Sequence, residues 1–272
     1  MLVSVIVPSF NRKGFLEEAV ASVFSQSFQD FELIIVDDGS APGHLPKIEN
    51  QRLKVFRLPH RGVAAARNFG VAMAVGKYLA FLDSDDLWVK NKLEKQLSFM
   101  LDNPLFKICH THEKWQRNGQ HLNQMKKHQK YGGWIFDKCL PLCLISCSSV
   151  LMERELFETV GGFDEGLPVC EDYDLWLRIA HQHPIGFIDE PLIIKRGGHP
   201  DQLSKKYWGM DRFRVRALEK LLRLKLKAEQ INLVLTELRK KYAILAAGAW
   251  KRKKYFHWLY YQIKGLSHGR EG

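Results

Sequence analysis

The sequence predicts an α/β protein, a mostly parallel central sheet flanked by helices with a helical C-terminal extension, and three observations carry that prediction. First, short apolar runs alternate with helical patterns through the first hundred residues. The runs are "VSVIVPSF", "FELIIVDDGS", "LKVFRLP" and "KYLAFLDSDD", and the patterns between them lie around Gly14–Ser25, Pro42–Asn50 and Gly62–Val75. Such alternation marks βαβ units. Second, polar residues gather at the carboxyl ends of the runs: Pro8-Ser9 after the first, Asp37-Asp38 after the second, Asp83-Ser84-Asp85-Asp86 after the fourth. Sheets of this kind bind ligands at those ends. Third, 272 residues that are 46% apolar and 26% charged are enough for one large domain with an appendage, or for two small domains, around a sizeable core.

Further along, a helix is predicted near Lys90–Leu101, a strand at Phe106–Trp115 and a turn at Arg117-Asn118-Gly119. "SSVLMERELFETVGGFDE" reads as a strand, a short helix and a glycine-rich turn, and "EDYDLWLRIAHQH" as an amphipathic helix. A last strand, "IGFIDEPLIIKR", precedes two or three helices from Tyr207 onward, among them "MDRFRVRALEKLLRLKLK" and "WKRKKYFHWLYYQIKG". In the first of these, Met210, Phe213, Ala217, Leu221 and Leu224 recur at helical spacing, which predicts packing against the rest of the chain. The expected boundaries are 1–205 for a catalytic unit, divided into 1–105 and 106–205, and 206–272 for the extension.

The net charge of +11 is unevenly spread. From Lys195 to the C-terminus there are 20 Lys and Arg against 6 Asp and Glu, which leaves 21 against 24 for the first 194 residues. A basic tail suits either a solvated helical appendage or an anionic surface, membrane or nucleic acid. Lys251-Arg252-Lys253-Lys254 beside Phe256, Trp258, Tyr260 and Tyr261 suit peripheral contact with anionic lipid. No nucleic-acid motif accompanies the charge, so no nucleic acid is expected as partner. The N-terminus has no basic leader before an apolar run, and no apolar run approaches the length of a membrane span. The expectation is a cytoplasmic protein, peripheral on the inner face of the membrane if its tail docks. The five cysteines include Cys139, Cys143 and Cys147 at a spacing that would stack them on one helical face. They form no CxxC metal pair and read as reduced or buried thiols.

The acids carry the chemistry. Asp83, Asp85 and Asp86 in four residues suit a hard divalent cation carrying a diphosphate, since such ions take oxygen ligands and keep positions open for phosphate. A helix N-cap by Asp85 or Asp86 ahead of "LWVKNKLEKQL" needs only one acid. Asp37 and Asp38 stand where a dinucleotide-binding protein keeps its ribose acid, but "PSFNRKG" is not a glycine-rich first turn, which argues against a nicotinamide enzyme. A carboxylate there still suits hydrogen bonding to a nucleoside. Arg67 is either an ion-pair partner for a nearby Asp or a neutralising group at the nucleotide. Asp172, with Glu171 as second choice, is the candidate general base at the start of its helix, where charge complementing the helix dipole is the simpler role. In "KRGGHPDQLS", His199 suits the cation or a diphosphate, and Lys195 and Arg196 suit a leaving group.

Taken in order, "VSVIVPSFNR", "ELIIVDDGS", "GVAAARNFGVAMAVGKYLAFLDSDD", "GGFDE", "CEDYDLWLRIA" and "RGGHPDQLS" resemble the family 2 inverting glycosyltransferases of GT-A fold over about residues 1–205. The resemblance implies a Rossmann-like sheet, a nucleotide-diphospho-sugar donor, with UDP ahead of dTDP and GDP, and a divalent cation, Mn²⁺ or Mg²⁺, bridging the diphosphate. It implies nucleoside contacts at Ser9 and Asp38, a nucleotide-side contact at Arg67, a DxD pattern at Asp83 and Asp85 with Asp86 nearby, a base at Asp172 and a late metal or diphosphate ligand at His199. The implied reaction is direct displacement onto a hydroxyl of a glycan or lipid-linked acceptor, in cell-envelope polysaccharide or glycoconjugate synthesis. Ser9 stands where the family often has Thr. Two rival readings are a nucleotidyltransferase that makes sugar nucleotides, which lacks its glycine-rich basic loop here, and a non-enzymatic protein that binds anionic surfaces through its tail.

Overall fold

A computed structural model describes residues 1–45, 48–199, 202 and 206–267. Strands β1 (Val3–Ser9) and β2 (Phe31–Asp37) are buried at every position and pair in parallel from Val3↔Phe31 to Ser9↔Asp37. They lack the alternation of a half-exposed strand because both faces of the sheet are covered. Val3, Val5, Val7, Leu33 and Ile35 pack against helices α1 (Lys13–Phe24) and α3 (Lys92–Asp102). Ile6, Ile34 and Val36 pack on the opposite face against α2 (Val63–Met73). Small residues let α2 come close: a Cβ on Gly70 would lie 2.5 Å from Cγ2 of Ile6.

The sheet is completed by β3 (Leu53–Arg57), β4 (Tyr78–Phe81), β5 (Leu87–Trp88), β6 (Ile108–Arg117), β7 (Gln120–Leu122), β8 (Leu151–Glu153) and β9 (Gly186–Gly197), in the order β3-β2-β1-β4-β8-β6-β9-β5, with β7 on β6. β1, β2, β3 and β4 are mutually parallel, and β6 pairs in parallel with β9; β8, β5 and β7 run antiparallel to their neighbours. Strand order reverses about β1, with β2 on one side and β4 on the other. The crevice this opens at the carboxyl ends is where the polar residues lie.

Two expected elements differ. Among the described residues of 42–50 there is turn and irregular chain instead of a helix. After Asp86, Leu87 and Trp88 form β5, paired with Ile194 and Ile193 of β9, and α3 starts only at Lys92 after Asn91. Neither Asp85 nor Asp86 therefore caps a helix: the strand pairing of the next two residues takes the backbone away from helical geometry.

Between β6 and β9 lie α4 (Phe136–Cys139), α5 (Arg154–Thr159) and α6 (Glu171–Ala180). The tail folds as α7 (Asp211–Leu221), α8 (Ala228–Lys251) and α9 (Tyr255–Ser267). Phe213, Ala217, Leu221, Val234, Leu238, Tyr242 and Leu245 join the same core cluster as α2 and α6, so the tail is packed onto the sheet domain as its periodicity predicts, although Leu224 is exposed. Lys220 adds ion pairs to Asp174 (2.9 Å) and Asp164. The boundary placed at 205 lies outside the described residues.

Candidate active site

A cleft of about 920 Å³ opens at the carboxyl ends of β1, β2 and β4. Pro8, Ser9, Asp38, Arg67, Asp83, Ser84 and Asp85, all singled out in the sequence, line it. Asp38 N donates to Ser9 O at 2.8 Å, tying the two strand ends together. The Ser9 hydroxyl is buried and has no hydrogen-bond partner among the described residues, which fits a ligand contact. The Asp38 carboxylate accepts from the backbone N–H groups of Arg61 (2.7 Å) and Gly62 (2.9 Å) and lies 2.8 Å from Nδ1 of His60. It thereby holds the loop that begins α2, whose first residues, Val63 and Ala64, also face the cleft. Helix N-termini favour anionic ligands.

The turn after β4 is built tightly. Ser148 Oγ accepts from Asp83 N (3.1 Å) and donates to Asp86 Oδ2 (2.7 Å), while Arg196 N donates to Asp86 Oδ1 (3.0 Å). Asp86 is thus buried, fully engaged and absent from the cleft, and it does not suit a cation ligand. Burial drives its carboxyl well above the ordinary range, reinforced by Asp85 and Asp83 and opposed by Lys195. Lys195 and Arg196 also stay outside the cleft wall. Lys195 donates to Ser146 Oγ at 3.0 Å; burial weakens its ammonium, but Glu113, Asp86 and Asp83 more than compensate and raise its pKa. Arg196 donates to Asp85 O at 2.6 Å and pairs with Glu18. Both brace the turn from behind. Asp37 is likewise interior: it accepts from Ser40 N at 3.1 Å and lies 3.5 Å from Nε of Arg57.

Asp85 points the other way. Its Oδ2 lies 2.9 Å from Nε2 of His199 and 3.3 Å from Nη1 of Arg12. Burial raises the Asp85 carboxyl, Asp83 adds to the rise, and Arg12 and His199 oppose it. Among the described residues no three metal-ligating side chains form a cluster. A carboxylate and an imidazole in contact nevertheless suit a divalent ion that draws its remaining ligands from phosphate and water. Pro200, Asp201 and residues 203–205 of the same loop lie outside the described residues.

Arg67 links the two acidic centres. Nη2 donates to Asp83 at 2.6 Å and Nη1 to Glu171 at 2.5 Å, and the side chain is buried. Because two carboxylates share one guanidinium, a negative charge remains: burial pushes Glu171 up to about 7, Asp172 adding to the rise and Arg67 opposing it. Glu171 is sequestered, whereas Asp172 is partly exposed at the first turn of α6. Its Oδ1 accepts from Tyr173 N at 2.7 Å and its Oδ2 from the Cys143 thiol at 3.2 Å. Neither acid lines the cleft at the ends of β1, β2 and β4.

That thiol gives the cysteine row a role. The three do not share a helix: Cys139 ends α4, Cys143 follows in irregular chain and Cys147 opens a 3-10 turn. Burial holds Cys143 and Cys147 far above the usual thiol range, with Asp172 raising both further, so Cys143 keeps the proton it donates.

Several cleft residues were not singled out in the sequence, although Phe10, Arg12 and Glu165 lie within its motifs. Phe10 and His60 stack at 4.2 Å with planes 19° apart. Arg12, Arg61, the segment Glu165-Gly166-Leu167-Pro168, and Lys206-Tyr207 from the start of the tail complete the wall. Arg61 and Glu165 pair across it at 2.8 Å.

Comparisons with known proteins agree with this construction. The model of the family described as "Glycosyl transferase family 2" matches residues 4–161. An uncharacterized glycosyltransferase of Rickettsia felis is 38% identical over 195 residues, covering 70% of this chain; the chain spans only 32% of that protein's length. The UDP-Glc:alpha-D-GlcNAc-diphosphoundecaprenol beta-1,3-glucosyltransferase WfgD of Escherichia coli is 33% identical over 192 residues, 69% of this chain and 73% of that one. In three dimensions, the crystal structure of S. aureus TarS 1-349 in complex with UDP-GlcNAc superposes with a TM-score of 0.76 at 19% identity, covering 98% of this chain and 81% of that chain, which establishes the GT-A fold. A family match over more than half of the sequence, on the strands and turns that build the cleft, leads to one assignment: the chain belongs to glycosyl transferase family 2.

Proposed function

We propose that the cleft binds a nucleotide-diphospho-sugar, a UDP-sugar in the first instance, and that the chain transfers the sugar with inversion to a hydroxyl of a glycan or lipid-linked acceptor in cell-envelope polysaccharide synthesis. The observation that carries the reading is the convergence of the unpartnered Ser9 hydroxyl, Asp38, Asp83 and Asp85 on one cleft beside the start of α2. The Phe10–His60 stack offers an aromatic face to the base, and Asp83, paired with Arg67, would meet the ribose or sugar. Asp85 and His199 would hold Mn²⁺ or Mg²⁺, which supplies Lewis-acid stabilisation of the leaving diphosphate when bound. WfgD, by its name, uses UDP-glucose and a diphosphoundecaprenol-linked acceptor, and TarS was crystallised with UDP-GlcNAc.

Asp172 takes the acceptor hydroxyl proton in this reading. The freed oxygen bonds to the anomeric carbon as the bond to the diphosphate oxygen breaks, and that electron pair leaves with the nucleoside diphosphate. Glu171, buried and paired with Arg67, holds geometry and does not exchange protons with the acceptor. Cys143 orients Asp172 by donating to the oxygen not used by Tyr173 N. Analysis of products with radiolabelled donors tests the reaction class. Free nucleoside diphosphate with sugar on the acceptor supports transfer; pyrophosphate release supports a nucleotidyltransferase instead.

A further inference from the structure

The last helix is built inside out for a helix on the surface of a globular protein. Tyr261 of α9 is buried against Tyr242 of α8, ring centroids 6.2 Å apart. On the same side, Lys264 pairs with Glu219 of α7 at 2.9 Å, and Gly265 faces Tyr242. With about 100° per residue, the opposite side carries Phe256, Leu259, Ile263 and Leu266, flanked by Tyr255 and Tyr260. All six are exposed, Phe256 to 91%. A solvent-facing stripe of that composition over three turns is the pattern of an interaction surface.

Charge identifies the occupant. Lys251, the last residue of α8, and Arg252, Lys253 and Lys254 of the turn that leads to α9 are exposed at the N-terminal end of the stripe. Beside them, Trp250 meets Tyr255 edge-on and Trp258 at a tilt, ring centroids 5.3 and 5.2 Å apart, and the Trp208 ring lies under Arg212, Arg252 and Lys254. A second copy of this chain would bring like charges together at that rim. A nucleic acid would meet the cations but gain nothing from Leu259, Ile263 and Leu266, which cannot stack on bases. Cations and indoles bordering an aliphatic stripe match the headgroup and acyl layers of an anionic bilayer surface.

We propose that α9 and the α8–α9 turn form a monotopic docking surface for anionic phospholipid, with Phe256, Leu259, Ile263 and Leu266 entering the acyl boundary and the four basic residues meeting headgroup phosphates. Trp208 follows directly on Lys206 and Tyr207, which line the cleft, so the docked surface is continuous in sequence with the cleft wall. Docking stands without the transfer reaction; only its use, presenting the cleft to acceptors at a membrane, rests on that reading.

Co-flotation of the full chain with phosphatidylcholine vesicles, with and without phosphatidylglycerol, tests it in the absence of any nucleotide sugar. The expected result is phosphatidylglycerol-dependent binding with a blue shift of tryptophan emission. Phe256→Ser/Leu259→Ser and Lys253→Glu/Lys254→Glu should each weaken binding by about tenfold or more, with unchanged far-UV dichroism because the altered side chains are exposed. Binding that is absent, or equal with and without phosphatidylglycerol, overturns the proposal. So does tight heparin or RNA binding insensitive to Phe256→Ser/Leu259→Ser, or sedimentation showing a lipid-free dimer that this variant dissolves.

Discussion

At the scale of single residues, side chains of one chemical type divide according to the face on which the backbone leaves them. Asp85 and Asp86 are adjacent and identical in kind, yet one meets His199 and Arg12 at the cleft while the other is locked behind it by Ser148 and Arg196 N. The motif announced the cluster in sequence; which acid faces the ligand is a matter of local register, which spacing alone does not reveal. Lys195, Arg196 and Asp37 were indistinguishable from ligand contacts for the same reason. Asp172 and Glu171 divide similarly, and Asp172→Asn should lower turnover by about 10²–10⁴-fold while leaving nucleotide affinity unchanged, as read by steady-state rates beside calorimetry. Arg67→Met leaves Asp83 and Glu171 facing each other without their shared cation, and chemical denaturation should show a loss of about 3–5 kcal/mol.

At the scale of elements, the apolar runs that become β1, β2 and β4 were legible because continuous burial on both faces leaves a continuous apolar sequence. What stayed hidden were connections made by long-range pairing. β5 is two residues long and exists only because β9 runs beside it, so its sequence reads as the start of α3. The entrance of α2 is a second case: its loop is held by Asp38, more than twenty residues earlier in the chain. Asp38→Ala removes acceptors from two backbone N–H groups at once. It should cost about 1–3 kcal/mol in thermal or chemical unfolding and, unlike a substitution elsewhere in the core, also weaken nucleotide binding. The Phe10–His60 stack likewise depends on β1 and the α2 loop meeting, and no spacing rule anticipates it.

Across the whole molecule, buried charge joins β6, β9 and the turn after β4. Glu113 accepts from Ser146 (2.7 Å) and Trp115 (2.7 Å), lies 3.1 Å from Lys130, and faces Lys195, which in turn faces Asp86. Burial alone would raise the Glu113 carboxyl, but Lys195, Lys130 and the hydrogen bonds outweigh it and bring it down to about 2 from its ordinary 4.5. A depressed carboxyl stabilises the fold fully above pH 4.5 and loses that contribution as pH falls toward 2. The loss should amount to about 3 kcal/mol, seen as a slope in unfolding free energy between those limits that Glu113→Gln flattens. The tail belongs to the same molecule: it shares the core with α6 and supplies Lys206 and Tyr207 to the cleft, which composition and charge alone did not indicate. The proposed function makes this cleft a metal-assisted nucleotide-sugar site. Its test is calorimetric titration with UDP, GDP and dTDP, with and without Mn²⁺, on the native chain and on Asp85→Ala. Metal-dependent binding, tightest for UDP and lost in Asp85→Ala, is the expected result; a folded protein that binds none of the three, or binds them equally without metal and in the variant, would refute the proposed site.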